Sequence, residues 1–137
     1  MAESDLRREF IKLTALLDPH PIENLLPSEK GMPDVEYIGG MCELKWLPKW
    51  PVRDTTPVRI PHYSAEQKHW LKRRCDMGGK AWLCLQVRSE WFLFWGATVA
   101  QNVGELTYEQ LRALANFYWA NKPTYTELVY ALTSLPV

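Results

Sequence analysis

No stretch of the 137-residue sequence stays apolar over the roughly 20 residues that a bilayer-spanning helix needs. The first ten residues, MAESDLRREF, are rich in charge and do not resemble a secretory signal peptide. Cysteine is scarce, and Cys42, Cys75 and Cys84 form no C-x-x-C pair. This spacing disfavours a disulfide framework or a zinc site and favours reduced, mostly buried thiols. These absences predict a cytoplasmic protein with no membrane partner.

The sequence also lacks a net charge, because 16 basic residues balance 16 acidic ones. The charges are nevertheless distributed unevenly. Residues 1–44 hold nine acids and four bases, whereas residues 45–80 hold nine bases and three acids. An acidic segment followed by a basic one suits an acidic pocket rimmed by positive charge, which is a setting for a polyanion bound through metal. The alternative is a solvated surface whose charges are unevenly ordered along the chain.

The first half of the chain predicts a helix, a hairpin and a loop. Residues 4–17 carry apolar side chains at helical spacing, with Ser4 as the expected N-cap. Residues 18–33 predict a long connection that is at most partly ordered, and a hairpin follows around Gly39-Gly40. The proline-rich basic segment 47–61 is too irregular for the core sheet. The stripe of the first helix consists of Leu6, Phe10, Leu13 and Leu17.

The second half predicts helices that alternate with buried strands. A helix is expected from Ser64 to Arg74, because Ser64-x-x-Gln67 has the form of a capping box. The apolar runs 81–87 and 91–96 predict strands that are buried on both faces. Two further helices begin with capping boxes at Thr107 and Thr124. They place at core-like spacing Leu111, Leu114, Ala115 and Tyr118, then Leu128, Ala131 and Leu132. Together these elements predict an α/β fold, a mixed sheet flanked by helices.

The hairpin gathers charged residues on one face. If Gly39-Gly40 is a two-residue turn, Glu36 lies opposite Glu43 and Asp34 lies opposite Lys45. These four side chains then share one face, and the apolar residues between them share the other. Facing carboxylates repel each other unless a hard cation such as Mg²⁺ binds between them. The alternative is a surface hairpin whose polar face is simply solvated.

Pro33-Asp34 followed by Glu43-x-Lys45 matches the signature of the PD-(D/E)XK nuclease superfamily. The chain resembles the stand-alone VRR-NUC type of phages and bacteria, and more loosely the archaeal Holliday junction resolvases. The resemblance runs from about residue 22 to residue 96 through IEN, GMPDVEYI, MCELKW, VRIPH, SAEQKHWL, AWLCLQV and FLFWG. It implies a single nuclease domain over residues 1–137. That domain has a restriction-endonuclease-like core at about 4–96 and an extra C-terminal helical extension at about 105–135.

The resemblance also implies the site residues. Asp34 and Glu43 are expected to bind Mg²⁺ or Mn²⁺ with the backbone carbonyl of Leu44, while Lys45 is the catalytic lysine. Gln67 is the expected accessory polar residue, and its alternative role is the capping box alone.

A further acidic metal ligand is expected upstream of Asp34. Glu23 in IEN is favoured because it lies within the resemblance, and Glu9 in the first helix is the alternative. Glu36 is a candidate on hairpin geometry alone.

The resemblance and the basic segments together predict a metal-dependent endonuclease. It would act on branched DNA such as Holliday junctions or flaps. The enzyme would be a phage-encoded homodimer that works in the host cell. No segment resembles a base-reading helix, and phosphate contacts fix position without reading sequence. The alternatives are a sequence-specific restriction or homing-type nuclease and a non-catalytic DNA-binding module.

Trp46 and Trp50 would stack on an exposed base or pack the loop onto the domain. The expected phosphate contacts are Lys49, Arg53, Arg59, Lys68, Lys72 and Arg73, with Arg74 beside them.

Overall fold

A computed structural model of the chain describes residues 2–22 and 30–136. They form a six-stranded mixed sheet with helices on both faces, so the predicted α/β class is confirmed. The helices are α1 (Glu3–Leu13), α2 (Ala65–Asp76), α3 (Tyr108–Leu114) and α4 (Tyr125–Thr133). The strands are β1 (His20–Pro21), β2 (Val35–Tyr37), β3 (Gly40–Leu47), β4 (Lys80–Val87), β5 (Glu90–Trp95) and β6 (Phe117–Trp119). Short 3-10 helices cover Ala15–Leu17 and Val99–Gln101.

The strands lie across the sheet in chain order from β1 to β6. β3 and β4 run parallel, whereas the other neighbouring pairs are antiparallel. Parallel neighbours need a crossover connection, which the basic loop and α2 supply here. Among the described residues, no helix has both the length and the apolar character that crossing a membrane requires.

Two hydrophobic cores cover the two faces of the sheet. Alternate residues of β4 point to opposite cores, so Trp82 and Cys84 pack with α1 and α4, whereas Leu83 and Leu85 pack with α2 and α3. Every residue of β4 after Lys80 and every residue of β5 after Glu90 is buried, which confirms the predicted burial on both faces. The three cysteines are free, as predicted; two are buried and Cys75 is half-buried.

The hairpin keeps its predicted faces but has a different register. The turn residues are Ile38 and Gly39, so Tyr37 pairs with Gly40 and Glu36 pairs with Met41 rather than Glu43. Gly39 has a positive φ of 98°, whereas Gly40 lies in the strand. A Cβ on Gly40 would lie 2.6 Å from the Tyr37 hydroxyl and 2.7 Å from the Lys80 carbonyl oxygen, so this position needs glycine for close packing.

The change of register is two residues, and it therefore leaves every side chain on its predicted face. Val35, Tyr37, Cys42 and Leu44 are all in the core beneath α1, as expected. Continued by one step past Val35 and Cys42, the observed register brings Asp34 opposite Glu43 instead of Lys45.

Other boundaries differ at the ends of the helices. The N-cap of α1 is Ala2 rather than Ser4, and the Asp5 carboxylate accepts a hydrogen bond from the Ala2 amide at 2.7 Å. The helix predicted to run through Tyr118 ends at Leu114, and Tyr118 lies instead in β6, where the aromatic run Phe117–Trp119 pairs with β5. The three predicted capping boxes, at Ser64, Thr107 and Thr124, are confirmed.

Candidate active site

The candidate site lies in the middle of β3, beyond the end of β2. Among the described residues, β2 pairs with β3 only as far as Cys42, whereas β4 accompanies β3 to its end. Beyond Cys42 the hydrogen-bond partner of β3 on this side is the Asp34 carboxylate instead of a strand. Its Oδ2 accepts a hydrogen bond from the Leu44 amide at 2.8 Å. The N–H and C=O of one strand residue point to the same side, so we infer that the Leu44 carbonyl also faces this open edge.

Glu43 points from β3 towards α2, and its carboxyl is buried. The residue is 1% exposed, and its Oε1 accepts a hydrogen bond from Gln67 Nε2 at 3.1 Å. Its Oε2 has no hydrogen-bond partner among the described residues. Burial, and then the nearby Asp34 carboxyl, raise the pKa of Glu43 to about 10, while Lys45 opposes the change. Without a cation this carboxyl therefore keeps its proton at neutral pH.

Lys45 follows Glu43 on the same face of β3 and is only 4% exposed. Its Nζ donates a hydrogen bond to the His62 carbonyl at 3.0 Å and lies 6.0 Å from the centre of the Tyr63 ring. The backbone at His62 is left-handed, with φ 62°, a conformation that costs energy outside glycine and often marks functional sites. A lysine ammonium has three N–H donors, so this arrangement leaves donors for a substrate.

Gln67 joins α2 to the site through both ends of its amide. Its Oε1 accepts a hydrogen bond from the Ser64 amide at 2.9 Å, which is one half of the capping box. Its Nε2 donates to Glu43 at the same time. Gln67 therefore completes the capping box and contacts Glu43 at the same time, and the capping box fixes which end of the amide faces the carboxyl.

A third carboxyl, that of Glu3, lies at the same place, although Glu3 is not among the residues predicted above. Glu3 lines a cleft of about 110 Å³ together with Ser4, Arg7, Asp34 and Leu44. The sequence did contain a signal for it. Glu3 precedes Leu6 and Phe10 at helical spacing, so an acidic residue stands on the stripe that α1 turns towards the sheet.

The electrostatics of Glu3 agree with this position. Although the residue is exposed overall, burial of its carboxyl in the cleft raises its pKa. Lys45 and the Trp46 amide oppose this rise, and the Asp34 carboxyl adds to it. The charges of Asp34 and Lys45 therefore act on the Glu3 carboxyl across the open edge of β3.

The other acidic candidates have different environments. Glu9 forms an ion pair with Lys122 at 3.0 Å, which lowers the pKa of Glu9, so this residue is held towards α4 instead of the cleft. Glu36 is exposed and faces Met41. Glu23 lies outside the described residues.

The predicted phosphate-binding residues fall into two groups. Lys49, Arg53 and Arg59 are exposed on the loop between β3 and α2. On α2, Lys68 Nζ lies 5.1 Å from the centre of the Tyr63 ring, close to Lys45.

The remaining basic residues of α2 point away from the site. Lys72 pairs with Asp76 at 2.7 Å, and the Arg74 guanidinium lies 4.8 Å from the centre of the Trp70 ring. Arg73 borders a groove beside Trp70.

The two tryptophans near the loop pack against the domain. Trp50 Nε1 donates to Glu90 at 2.9 Å, and its ring packs edge-on against Phe92 and Tyr108. Trp46 packs on the core beneath α1. The packing alternative therefore describes both residues in this structure.

Within residues 2–22 and 30–136, no three histidine, cysteine, aspartate or glutamate side chains converge as a ready-made metal site. The described site offers two carboxylates and a carbonyl oxygen at the edge of β3, with Glu3 across the cleft. No protein-family model matches the chain, and no curated protein matches it.

Proposed function

We propose that the protein is a divalent-metal-dependent DNA endonuclease with a PD-(D/E)XK core. One observation carries the proposal. A buried carboxyl oxygen of Glu43 has no partner among the described residues, and Glu43 lies near Asp34 and two residues before the buried Lys45 on the same face of β3. Burying an unpaired carboxylate is costly, so a site of this kind is retained where a cation or a reaction uses it.

The donor set suits a hard cation. Mg²⁺ takes oxygen ligands and is bound through one or two carboxylates, with water and substrate phosphate completing its shell. Asp34, the free oxygen of Glu43 and the Leu44 carbonyl would hold Mg²⁺ or Mn²⁺, and Glu3 is placed to bind one of its waters. A bound cation supplies Lewis-acid polarisation of the phosphate and offsets the charge of the leaving oxygen.

The chain's own residues have defined tasks in such a reaction. The Lys45 ammonium is held by the His62 carbonyl, and its other N–H groups can orient an attacking water or neutralise charge on the phosphate oxygens. Gln67 fixes one oxygen of Glu43 and leaves the other free. Burial keeps these groups away from bulk water, which strengthens their electrostatic effect on the transition state.

We further propose that the substrate is branched DNA. Lys68 on α2 and the exposed basic side chains of the loop between β3 and α2 would contact the DNA, and such contacts bind phosphates of any sequence. Symmetric cutting of a four-way junction needs two sites, so we propose a homodimer. In the C-terminal segment Tyr130 and Leu135 are each 68% exposed and are candidates for that contact. Sedimentation of the full chain tests the dimer, and a monomer at all concentrations would refute it.

The cleavage test compares labelled four-way junction, splayed arm, flap and linear duplex in Mg²⁺, Mn²⁺ or EDTA. We expect metal-dependent cutting that is confined to the branched substrates. Lys45→Ala should reduce cutting by about 10²–10³-fold, the loss typical of removing one charge-stabilising group, while DNA binding persists.

The same assay separates the rival functions. One discrete cut in plain duplex would favour a sequence-specific nuclease. Binding without cutting of any substrate would favour a non-catalytic module. Cleavage by Lys45→Ala at the wild-type rate would sink the proposed mechanism.

A further inference from the structure

A groove of about 440 Å³ runs along the outer side of α2, next to the candidate active site. Its volume falls within the range of roughly 300–1,000 Å³ that is typical of small-ligand sites. Its aromatic residue, Trp70, belongs to neither hydrophobic core of the described residues. Its lining consists of Lys30, Ala65, Glu66, His69, Trp70 and Arg73.

The groove and the candidate active site take their residues from the same helix and from the same segment before β2. Glu66 immediately precedes Gln67, whose amide holds Glu43, and Trp70 follows Gln67 by three residues, about 4.5 Å along the helix axis. On the other side, Gly31 lies so close to α2 that a Cβ there would be 2.6 Å from the Glu66 carbonyl. The segment that forms this wall leads in three residues to Asp34. A strand lying in the groove would therefore pass directly to the site.

The chemistry of the groove suits a nucleotide. Trp70 is half-buried, so its indole is fixed in place and still accessible. Arginine already stacks on this ring, since the Arg74 guanidinium lies 4.8 Å from its centre. Arg73 and Lys30 supply positive charge at the rim, and the carboxylate of Glu66 is paired with Lys30 at 3.5 Å. An aromatic face between basic side chains is the arrangement that binds single-stranded nucleic acid.

We propose that this groove binds an unpaired nucleotide of a single-stranded DNA arm, with its base stacked on Trp70 and its phosphate contacting Arg73. The bases of a duplex are already stacked on one another, so the groove selects DNA that has a single-stranded part beside the cut. The inference rests on the proposed nuclease function for its choice of DNA, and it predicts that flaps and splayed arms are preferred among the branched substrates.

The test measures binding of the full chain in EDTA, where metal-dependent cutting is absent. Fluorescence anisotropy compares labelled oligothymidine with a blunt hairpin duplex. Trp70→Ala should weaken binding of oligothymidine about 5- to 150-fold, the equivalent of one lost base stack, and leave the affinity for the duplex unchanged. Trp70→Phe should keep most of the affinity. Arg73→Ala should lower the slope of log K against log salt for the single strand by about 0.7.

Tyr125→Ala is the matched control, because Tyr125 is an exposed aromatic residue on α4 and should not affect either ligand. Equal losses for both ligands, no loss at all, or no binding of either ligand would overturn the inference. Tighter binding of oligouridine than of oligothymidine would overturn the choice of DNA. If the protein cuts DNA in metal but its Trp70→Ala variant binds oligothymidine normally, this inference is refuted and the nuclease proposal stands. Trp70-dependent binding by a chain that never cuts would refute the nuclease instead.

Discussion

Replacing Glu43 with glutamine should make the metal-free protein more stable and at the same time abolish metal-dependent cutting. Glu43 is buried, its Oε2 is unpaired among the described residues, and its pKa is raised to about 10. Glutamine keeps the shape of the side chain and the acceptor for Gln67, but it carries no charge at any pH. The change therefore removes the energetic penalty of the carboxyl while it preserves the packing.

The size of the effect depends on pH. In the unfolded chain the carboxyl titrates near its ordinary pKa of 4.5, whereas in the folded protein it holds its proton up to about pH 10. Between these values the folded state binds one more proton than the unfolded state, so the free energy of unfolding falls as pH rises. Each pH unit corresponds to about 1.4 kcal/mol. Because pH 8 lies about 3.5 units above the unfolded pKa of 4.5, the penalty there is on the order of 5 kcal/mol, and at pH 5 it is below about 1 kcal/mol.

The assay is urea or thermal unfolding in EDTA from pH 5 to pH 8. We expect the stability of Glu43→Gln to exceed that of the wild type by a margin that grows with pH and reaches about 15 °C in Tm at pH 8, given about 3 °C per kcal/mol. Glu36→Gln is the matched control, because Glu36 is exposed on the same hairpin and faces Met41. Its stability should follow that of the wild type across the whole range.

Metal should narrow the difference in stability between the two proteins. A cation that binds the folded state alone stabilises it in proportion to the logarithm of its concentration above Kd. Mg²⁺ or Mn²⁺ at pH 8 should therefore raise the Tm of the wild type and leave that of Glu43→Gln unchanged. A variant less stable than the wild type at pH 8 in EDTA, or an equal response of both proteins to metal, would refute the reasoning.

Two further predictions concern the groups around Glu43. Glu3→Gln should weaken Mn²⁺ binding about 10-fold, because the Glu3 carboxyl lines the cleft with Asp34. This is the lower end of what loss of a supporting group costs. Calorimetry measures the effect, and the control Glu9→Gln on the same helix should show no change, since Glu9 pairs with Lys122. His62→Gly should keep both stability and cutting, because the His62 carbonyl rather than its imidazole contacts Lys45. His62→Val should cost about 1–2 kcal/mol in urea unfolding and reduce cutting, because a β-branched residue resists a φ of 62°. Equal behaviour of the two His62 variants would contradict that assignment.

The elements with strong local signals could be predicted from the sequence. The stripe of α1, the capping boxes of α2, α3 and α4 and the apolar runs of β4 and β5 all depend on neighbouring residues. The capping boxes and the apolar runs are confirmed. The stripe is confirmed for Leu6, Phe10 and Leu13, whereas Leu17 lies in the 3-10 helix that follows α1. β1 and β6 are two and three residues long, and they exist because they pair with β2 and β5. Pairing of this kind depends on distant parts of the chain, and no local pattern predicts it.

The residues of the candidate site also differ in whether local sequence patterns predict them. The hairpin pattern predicts that Asp34, Glu43 and Lys45 lie close together, and the resemblance to PD-(D/E)XK nucleases adds Gln67 to them. Glu3 joins them only because α1 packs across β3, and Glu9 is removed because α1 also faces the loop before α4. Which acidic residue of a helix faces a site is decided by the rotation of that helix, and α1 is fixed by Leu6 and Phe10 in the core.

The register of the hairpin decides whether Asp34 lies beside Glu43 or beside Lys45, and a pair of glycine variants tests it. Gly39→Ala would place a Cβ in open space, at the cost of a positive φ of 98°, about 1 kcal/mol. Gly40→Ala would press a Cβ to 2.7 Å from the backbone oxygen of Lys80, so we expect a larger loss, about 2–3 kcal/mol in urea unfolding. A Gly39-Gly40 turn would instead put both residues at positive φ in type I′ and Gly39 alone in type II′, so the loss at Gly40 would be no larger than the loss at Gly39. Because a larger loss at Gly40 means that β3 and β4 approach closely there, it would also support the arrangement that brings the two carboxylates together for one cation.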